Sequence, residues 1–233
     1  MTQKKDPVRS QQITLDNHQL TLYFCDIPPD TNQQNEFIQA NSHFLSPHLA
    51  SAAPKRQAEF IAGRLASGKA LEALGLRNQI VPSNADRSPQ WPENVVGAIS
   101  HKVNLATAAV SRQFDMLGLD LETTFTDATI QRISRKIINE NEQRVLLASP
   151  LPYSFAFTQV FSAKETLYKA IYPFVRKYLG FDTSEVVDIS ENFVVLMLRK
   201  DVAKKTPCEA LFKIHTIETE GHILTLTAQS SQR

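Results

Sequence analysis

Cysteine is scarce in this chain: Cys25 and Cys208 are the only two in 233 residues. A disulfide scaffold and a four-cysteine zinc site are thereby excluded, and a reducing compartment is the expectation. Net charge is equally lacking. Lys and Arg total 25 against 24 Asp and Glu, a formal charge of +1. No global field draws such a chain to nucleic acid, so an affinity for phosphates has to come from local basic groups. Long apolar runs are missing too: none approaches the ~18 residues of a membrane span. The opening MTQKKDPVRSQQ carries no apolar core of a secretion signal. A cytoplasmic location is therefore expected. There is no nucleophile elbow, no P-loop and no glycine fingerprint of dinucleotide binding. Apart from His101, the histidines show no metal-ligand spacing.

What is present is the composition of a folded protein. Apolar residues make up 42% and charged residues 21%, close to the globular average and far from the signature of disorder. The length fits one large domain or two halves. Residues 1–12 read as a mobile tail. LTLYFCDI (Leu20–Ile27) reads as a strand, broken by PPDTNQQN. From Lys55 to Leu74, Ile61, Leu65, Leu71 and Leu74 recur at near-helical spacing, which predicts one long amphipathic helix with Arg56 and Arg64 on its other face. Gly63 and Gly68 each weaken that helix by ~1 kcal/mol relative to Ala, and an internal glycine can mark close backbone approach. After the loop Val81–Pro92, VVGAIS (Val95–Ser100) reads as a strand ending at His101. LATAAVS (Leu105–Ser111) and MLGLDLE (Met116–Glu122) are further strands, and Thr129–Leu147 reads as a second helix.

A third helix is expected to open at FSAKETLYKAI. Ser162 stands three residues before Glu165, the spacing of a capping box, and Lys169 lies four beyond Glu165, where an ion pair supports a helix surface. Pro173 should end or kink that helix. FVVLMLRK (Phe193–Lys200), ALFKIHTIE (Ala210–Glu218) and HILTLTAQ (His222–Gln229) read as strands, the last two joined through Thr219-Glu220-Gly221. The chain thus runs twice from helix into strands, and strands in short succession pair antiparallel. The expected fold is α+β, with two pseudo-symmetric halves over residues 13–115 and 116–233. Each half packs a long helix on a small, mostly antiparallel sheet.

Chemistry can sit at a few places. In GLDLE a strand points Asp120 and Glu122 to one face, roughly 7 Å apart along the backbone. There they could share a magnesium ion, which favours hard oxygen ligands, or simply face solvent. Ser100-His101, in a loop at a strand end, could meet a phosphate or be an ordinary polar pair. Arg56 and Arg64 are open to the same two readings.

Four blocks, RQAEFIAGR (Arg56–Arg64), WPENVVGAISH (Trp91–His101), GLDLE (Gly118–Glu122) and FSAKETLYKA (Phe161–Ala170), resemble in order and spacing the 4'-phosphopantetheinyl transferases of the surfactin type. The resemblance is closest to the enterobactin synthase component D subgroup. It implies a monomer of two pseudo-symmetric halves with the active site in the cleft between them. It also implies transfer of the phosphopantetheine arm of coenzyme A to a serine of an apo acyl, aryl or peptidyl carrier protein, releasing adenosine 3',5'-bisphosphate. By this resemblance Asp120, Glu122 and Glu165 hold Mg2+ on the pyrophosphate, and Lys164 and Lys169 serve the pyrophosphate and catalysis. Ser100 and His101 touch the nucleotide phosphates, Arg56 lies near the 3'-phosphate, and Arg64 occupies the matching Gly-Arg step. Glu142, in NENEQRVL, aligns with a glutamate assigned as general base. The chain departs from the subgroup at Lys102-Val103-Asn104, where small residues are usual. Asp120 and Glu122 would make use of a third ligand at Glu165, which favours the metal over the capping box. A coenzyme A or carrier-binding module without activity, and a magnesium-dependent phosphohydrolase, are the competing expectations.

Overall fold

The chain divides into two units, residues 1–112 and 113–233. A computed structural model describes residues 7–15 and 17–230. The division falls after Arg112 rather than after residue 115. Gln113 and Asp115 are bonded to the end of the chain: Asp115 N donates to Gln229 O and Ser230 Oγ to Gln113 O.

Small side chains set the layering of the first unit. Its strands β1 (Val8–Leu15), β2 (His18–Asp26), β3 (Val96–Lys102) and β4 (Leu105–Ser111) form an antiparallel sheet in the order β1-β2-β4-β3. Helix α1 (Thr31–Ala40) and the 20-residue α2 (Pro54–Ala73) follow β2. All of LATAAVS is buried in β4, and Ala106 and Ala108 pack with Ala58, Ala62 and Ala66 of α2. Alanine on both surfaces lets helix and sheet approach closely. Gly63 marks the tightest point, since a Cβ there would lie 2.8 Å from Ile99 Cγ2. Gly68 has no such contact; the nearest atom, Gln79 O, would be 3.5 Å away.

Two expectations are corrected here. Residues 8–12 belong to β1, paired along its length with β2, and are not a tail; residues 1–6 lie outside the described residues. PPDTNQQN does break the strand, which ends at Asp26, and it also starts α1, where Asp30 caps by accepting from Gln33 N at 2.9 Å. Ser100 and His101 are not in a loop: they pair with Thr107 and Ala106 inside β3, which runs to Lys102. The two-residue turn that follows holds Val103 at φ 54°.

The second unit contains β5 (Met116–Glu122), α3 (Asp127–Ile137), α4 (Glu140–Ala148), α5 (Tyr153–Val175), β6 (Ser184–Ser190), β7 (Phe193–Leu198), the short α6 (Lys200–Ala203), β8 (Leu211–Thr219) and β9 (His222–Gln229). Its sheet is antiparallel in the order β5-β9-β8-β7-β6. Glu220 and Gly221, at φ 51° and 75°, alone make the β8–β9 turn, as a two-residue type I′ connection requires.

The expected helix over Thr129–Leu147 is two helices. Asn139 breaks it by capping α4 in a reciprocal box with Glu142, each side chain bonding the other's backbone N–H. The helix expected to open at Ser162 opens at Tyr153 and runs 23 residues, so Ser162 and Glu165 lie in its interior and form no capping box. Pro173 sits in its last turn without ending it; Arg176 closes it in the left-handed region at φ 47°. Along α5, Ala156, Val160, Ala163, Leu167 and Ile171 join the main core. Gln159, Ser162 and Thr166, at helical spacing, form a second stripe that is polar and fully buried. The fold is α+β, with a long helix on an antiparallel sheet in each half.

Candidate active site

In β5, Asp120 and Glu122 point to the same side, and Asp120 is opposite Thr225 of β9. The side chain of Asp120 is buried, yet both its oxygens are bonded. Oδ1 meets Lys169 Nζ at 2.7 Å, and Oδ2 accepts from Ser162 Oγ at 2.8 Å. Lys169 also donates to Leu119 O at 3.0 Å. The cation expected to pair with Glu165 along the helix thus also spans to β5. Glu165 lies close enough to feel the group: burial pushes its pKa up, Asp120 and Glu122 push it further up, and Lys169 opposes them.

Lys164, the neighbour of Glu165, is enclosed. Its ammonium donates to Glu142 Oε1 at 2.6 Å, Ile137 O at 2.9 Å and Phe181 O at 3.0 Å, which uses all three N–H groups. Burial pushes its pKa below the ordinary lysine value, with Glu142 pulling the other way. Glu142 is as fully committed: Oε1 also accepts from Val186 N and Oε2 from Asn139 N.

The first unit gathers basic groups. Arg56, in the first turn of α2, donates from NH1 to His101 Nε2 at 2.8 Å. A guanidinium cannot accept, so the ring proton of neutral His101 is on Nδ1, facing Glu59 Oε2 at 3.6 Å. Arg64 is 5% exposed. Its guanidinium lies 4.3 Å from the Phe60 ring centroid and bonds Ser83 Oγ at 3.0 Å, while Nε is buried without a partner among the described residues. Burial lowers its pKa to about 10, with Arg56 adding to the effect. Ser100 is buried in β3.

Two family models divide the chain as the fold does. The 4'-phosphopantetheinyl transferase N-terminal domain matches residues 45–111, and the 4'-phosphopantetheinyl transferase superfamily matches residues 116–227. The chain is 32% identical over 208 residues to enterobactin synthase component D of Salmonella typhimurium, covering 89% of this chain and 85% of that protein. The chain belongs to the 4'-phosphopantetheinyl transferase superfamily. Enterobactin synthase component D of Salmonella typhi is 37% identical over 200 residues, covering 85% of this chain and 80% of that one. The 4'-phosphopantetheinyl transferase Svp of Streptomyces mobaraensis is 35% identical over 143 residues, 60% of this chain and 57% of Svp.

For a phosphopantetheinyl transferase, the second unit brings together Asp120, Glu122, Glu165 and Lys169, and the first brings together Arg56 and His101. Two of the expected residues are engaged by the protein itself. The oxygens of Glu142 cap α4, bind Val186 and hold Lys164 in the interior. The three donors of Lys164 go to Glu142, Ile137 O and Phe181 O. Sequence reasoning passed over Glu59, which sits one helical turn after Arg56, and the hydroxyls of Thr166 and Thr225, and it read Ser162 as a cap rather than as a partner of Asp120. The signal for Thr225 is a polar residue inside the apolar run HILTLTAQ.

Among the described residues, no group of three or more His, Cys, Asp or Glu is disposed as it stands to hold a metal ion. Asp120, Glu122 and Glu165 are of the residue type that hard divalent cations take as ligands, and Asp120 and Glu122 lie near enough to Glu165 to raise its pKa, a repulsion that a cation would relieve.

Proposed function

We propose that the chain transfers the 4'-phosphopantetheine arm of coenzyme A to a serine of an apo carrier protein, with Mg2+ required and adenosine 3',5'-bisphosphate released. We further propose aryl or peptidyl carrier domains of siderophore-type peptide synthesis as acceptors, and action as a cytoplasmic monomer. The observation that carries the reading is the acidic group Asp120, Glu122 and Glu165 beside Lys169, in a chain of this family. Enterobactin synthase component D, the name shared by several of its relatives, motivates the choice of carrier.

The serine oxygen bonds to the phosphorus that bears the pantetheine arm, and the bond from that phosphorus to the bridging pyrophosphate oxygen breaks. An oxygen nucleophile meets an anionic centre, so alignment and charge neutralisation are the main tasks. Mg2+, held by Asp120, Glu122 and Glu165, would supply Lewis-acid neutralisation of the pyrophosphate. Lys169 adds positive charge on the same side. Arg56 and His101 contact the nucleotide phosphates, and Arg64 draws the anion electrostatically, because no carboxylate neutralises its buried guanidinium among the described residues. The serine proton passes to water, because Glu142 is enclosed and Glu165 is committed to the cation.

The test is to mix the protein with coenzyme A, Mg2+ and apo carriers from siderophore, fatty-acid and polyketide systems, then weigh each carrier. A mass gain of one phosphopantetheine arm, fastest on the aryl or peptidyl carriers and lost in Asp120→Ala, is the expected result. Binding without mass gain, or phosphate release with no carrier modified, would overturn it.

A further inference from the structure

The two oxygens of Asp120 have different neighbours. Oδ1 faces the Lys169 ammonium, while Oδ2 accepts from Ser162 Oγ. Ser162 Oγ is also 2.8 Å from Thr225 Oγ1, which lies 2.7 Å from Thr166 Oγ1; Thr166 Oγ1 is in turn 3.1 Å from Thr225 O. Ser162, Thr166 and Thr225 have no solvent exposure.

A hydroxyl has one proton to give. That of Ser162 goes to a carboxylate that only accepts, so Ser162 must accept from Thr225. The proton of Thr225 is then spent, so Thr166 is the donor to Thr225 Oγ1 and shares its one proton with Thr225 O. The Ser162 and Thr225 protons both point toward Asp120, and hydrogen bonds aligned in one sense polarise one another. The chain is built by two elements in register. Positions 162 and 166 are one turn apart on α5, and Thr225 is directly opposite Asp120 in the sheet. Gly118, two residues before Asp120, has no side chain to hold α5 off β5: a Cβ there would strike the Thr166 carbonyl oxygen. Three buried hydroxyls are a costly way to fill a helix–sheet interface unless each is bonded, and here their bonds terminate on one carboxylate.

We propose that Ser162, Thr225 and Thr166 are positioning residues for the cation-binding carboxylate. The hydroxyl chain anchors Asp120 Oδ2 and leaves Oδ1 as the oxygen that exchanges the Lys169 ammonium for a divalent cation. The inference rests on the transferase reading above only for the presence of that cation.

Mn2+ serves as the probe, its free concentration read by electron paramagnetic resonance with the full chain and coenzyme A, alongside Tm and carrier transfer. Ser162→Ala and Thr225→Val should each weaken Mn2+ binding by about tenfold or more, the scale of partners that orient metal ligands. Thr225→Ser, which keeps the hydroxyl but loses the methyl, should bind Mn2+ as the wild type does even if its Tm falls. Wild-type Mn2+ affinity in Thr225→Val, or equal losses in the Val and Ser variants, would overturn the inference while leaving transfer untouched. A wild-type protein that transfers the arm without binding Mn2+ would overturn it as well. A wild-type protein that binds Mn2+ with the variant pattern above but modifies no carrier would sink the transfer reading alone.

Discussion

Glu165 is the residue on which chemistry and stability disagree most. Burial and the neighbouring Asp120 and Glu122 disfavour its ionised form, so it holds its proton more tightly in the folded protein than in the unfolded chain. Ionised Glu165 therefore costs stability above its folded pKa, and the cost fades as pH falls toward its ordinary value of 4.5. Glu165→Gln should accordingly raise Tm at neutral pH in the absence of divalent cations, with the gain shrinking as pH falls toward 4.5 and gone below it, while carrier transfer is lost. A calorimetric pH series beside the transfer assay checks both. Glu142 should behave in the opposite way. Its loss strands the Lys164 ammonium in the interior, and breaking one side of a buried ion pair costs about 3–5 kcal/mol. Glu142→Ala should therefore show a large drop in denaturation midpoint, with kcat per folded molecule close to wild type. A fold-preserving variant with kcat down several hundredfold would restore the general-base role. The sequence showed both glutamates as candidates, but it could not show that one is wrapped by Asn139, Val186 and Lys164 and the other is not.

At the scale of elements, two backbone positions carry the argument. Gly118 lets α5 lie against β5, because any Cβ there would run into the Thr166 backbone and the Ala170 side chain. Gly118→Ala should cost about 1–3 kcal/mol as the helix shifts, and should weaken coenzyme A turnover through the Ser162–Asp120 bond; urea unfolding and kcat/KM measure the two losses. Val103 makes the tight β3–β4 turn at φ 54° with a β-branched side chain that is 54% exposed. The left-handed region costs an L-residue about 1–2 kcal/mol, whereas glycine's extra freedom in the unfolded chain costs about 0.5–1 kcal/mol. Val103→Gly should thus gain up to about 1 kcal/mol in denaturant unfolding, with His101 and its Arg56 bond unchanged. The strands LATAAVS and MLGLDLE were legible to the residue, because alternation and short apolar runs report burial directly. The bounds of α2 were legible to within one residue, but those of the helices in the second unit were not. The Ser162–Glu165 spacing imitates a cap inside a long helix, and the working capping box at Asn139–Glu142 lay within a stretch whose apolar periodicity ran straight through it.

For the whole molecule, composition set the class and little else. Both cysteines are free, so Tm should be the same with and without a thiol reductant. Chelation should act on chemistry instead: EDTA is expected to stop carrier modification completely and Mg2+ to restore it, with circular dichroism unchanged. Activity that persists in EDTA would remove the metal role from Asp120, Glu122 and Glu165. Among the described residues no helix is long and apolar enough to cross a membrane, in keeping with the absence of long apolar runs.

The sequence by itself determined the α+β class, most strands, and the residue types gathered at 56, 64, 100–101, 120–122 and 164–169, because local periodicity and motif spacing are properties of the chain. Only the tertiary structure decided which charges face each other. Lys169 reaches Asp120 across 49 residues, Lys164 turns inward to Glu142, and Thr225 lies opposite Asp120. Whether a side chain is a ligand, a cap or a buried ion pair depends on burial and on partners distant in sequence, and no local pattern encodes either.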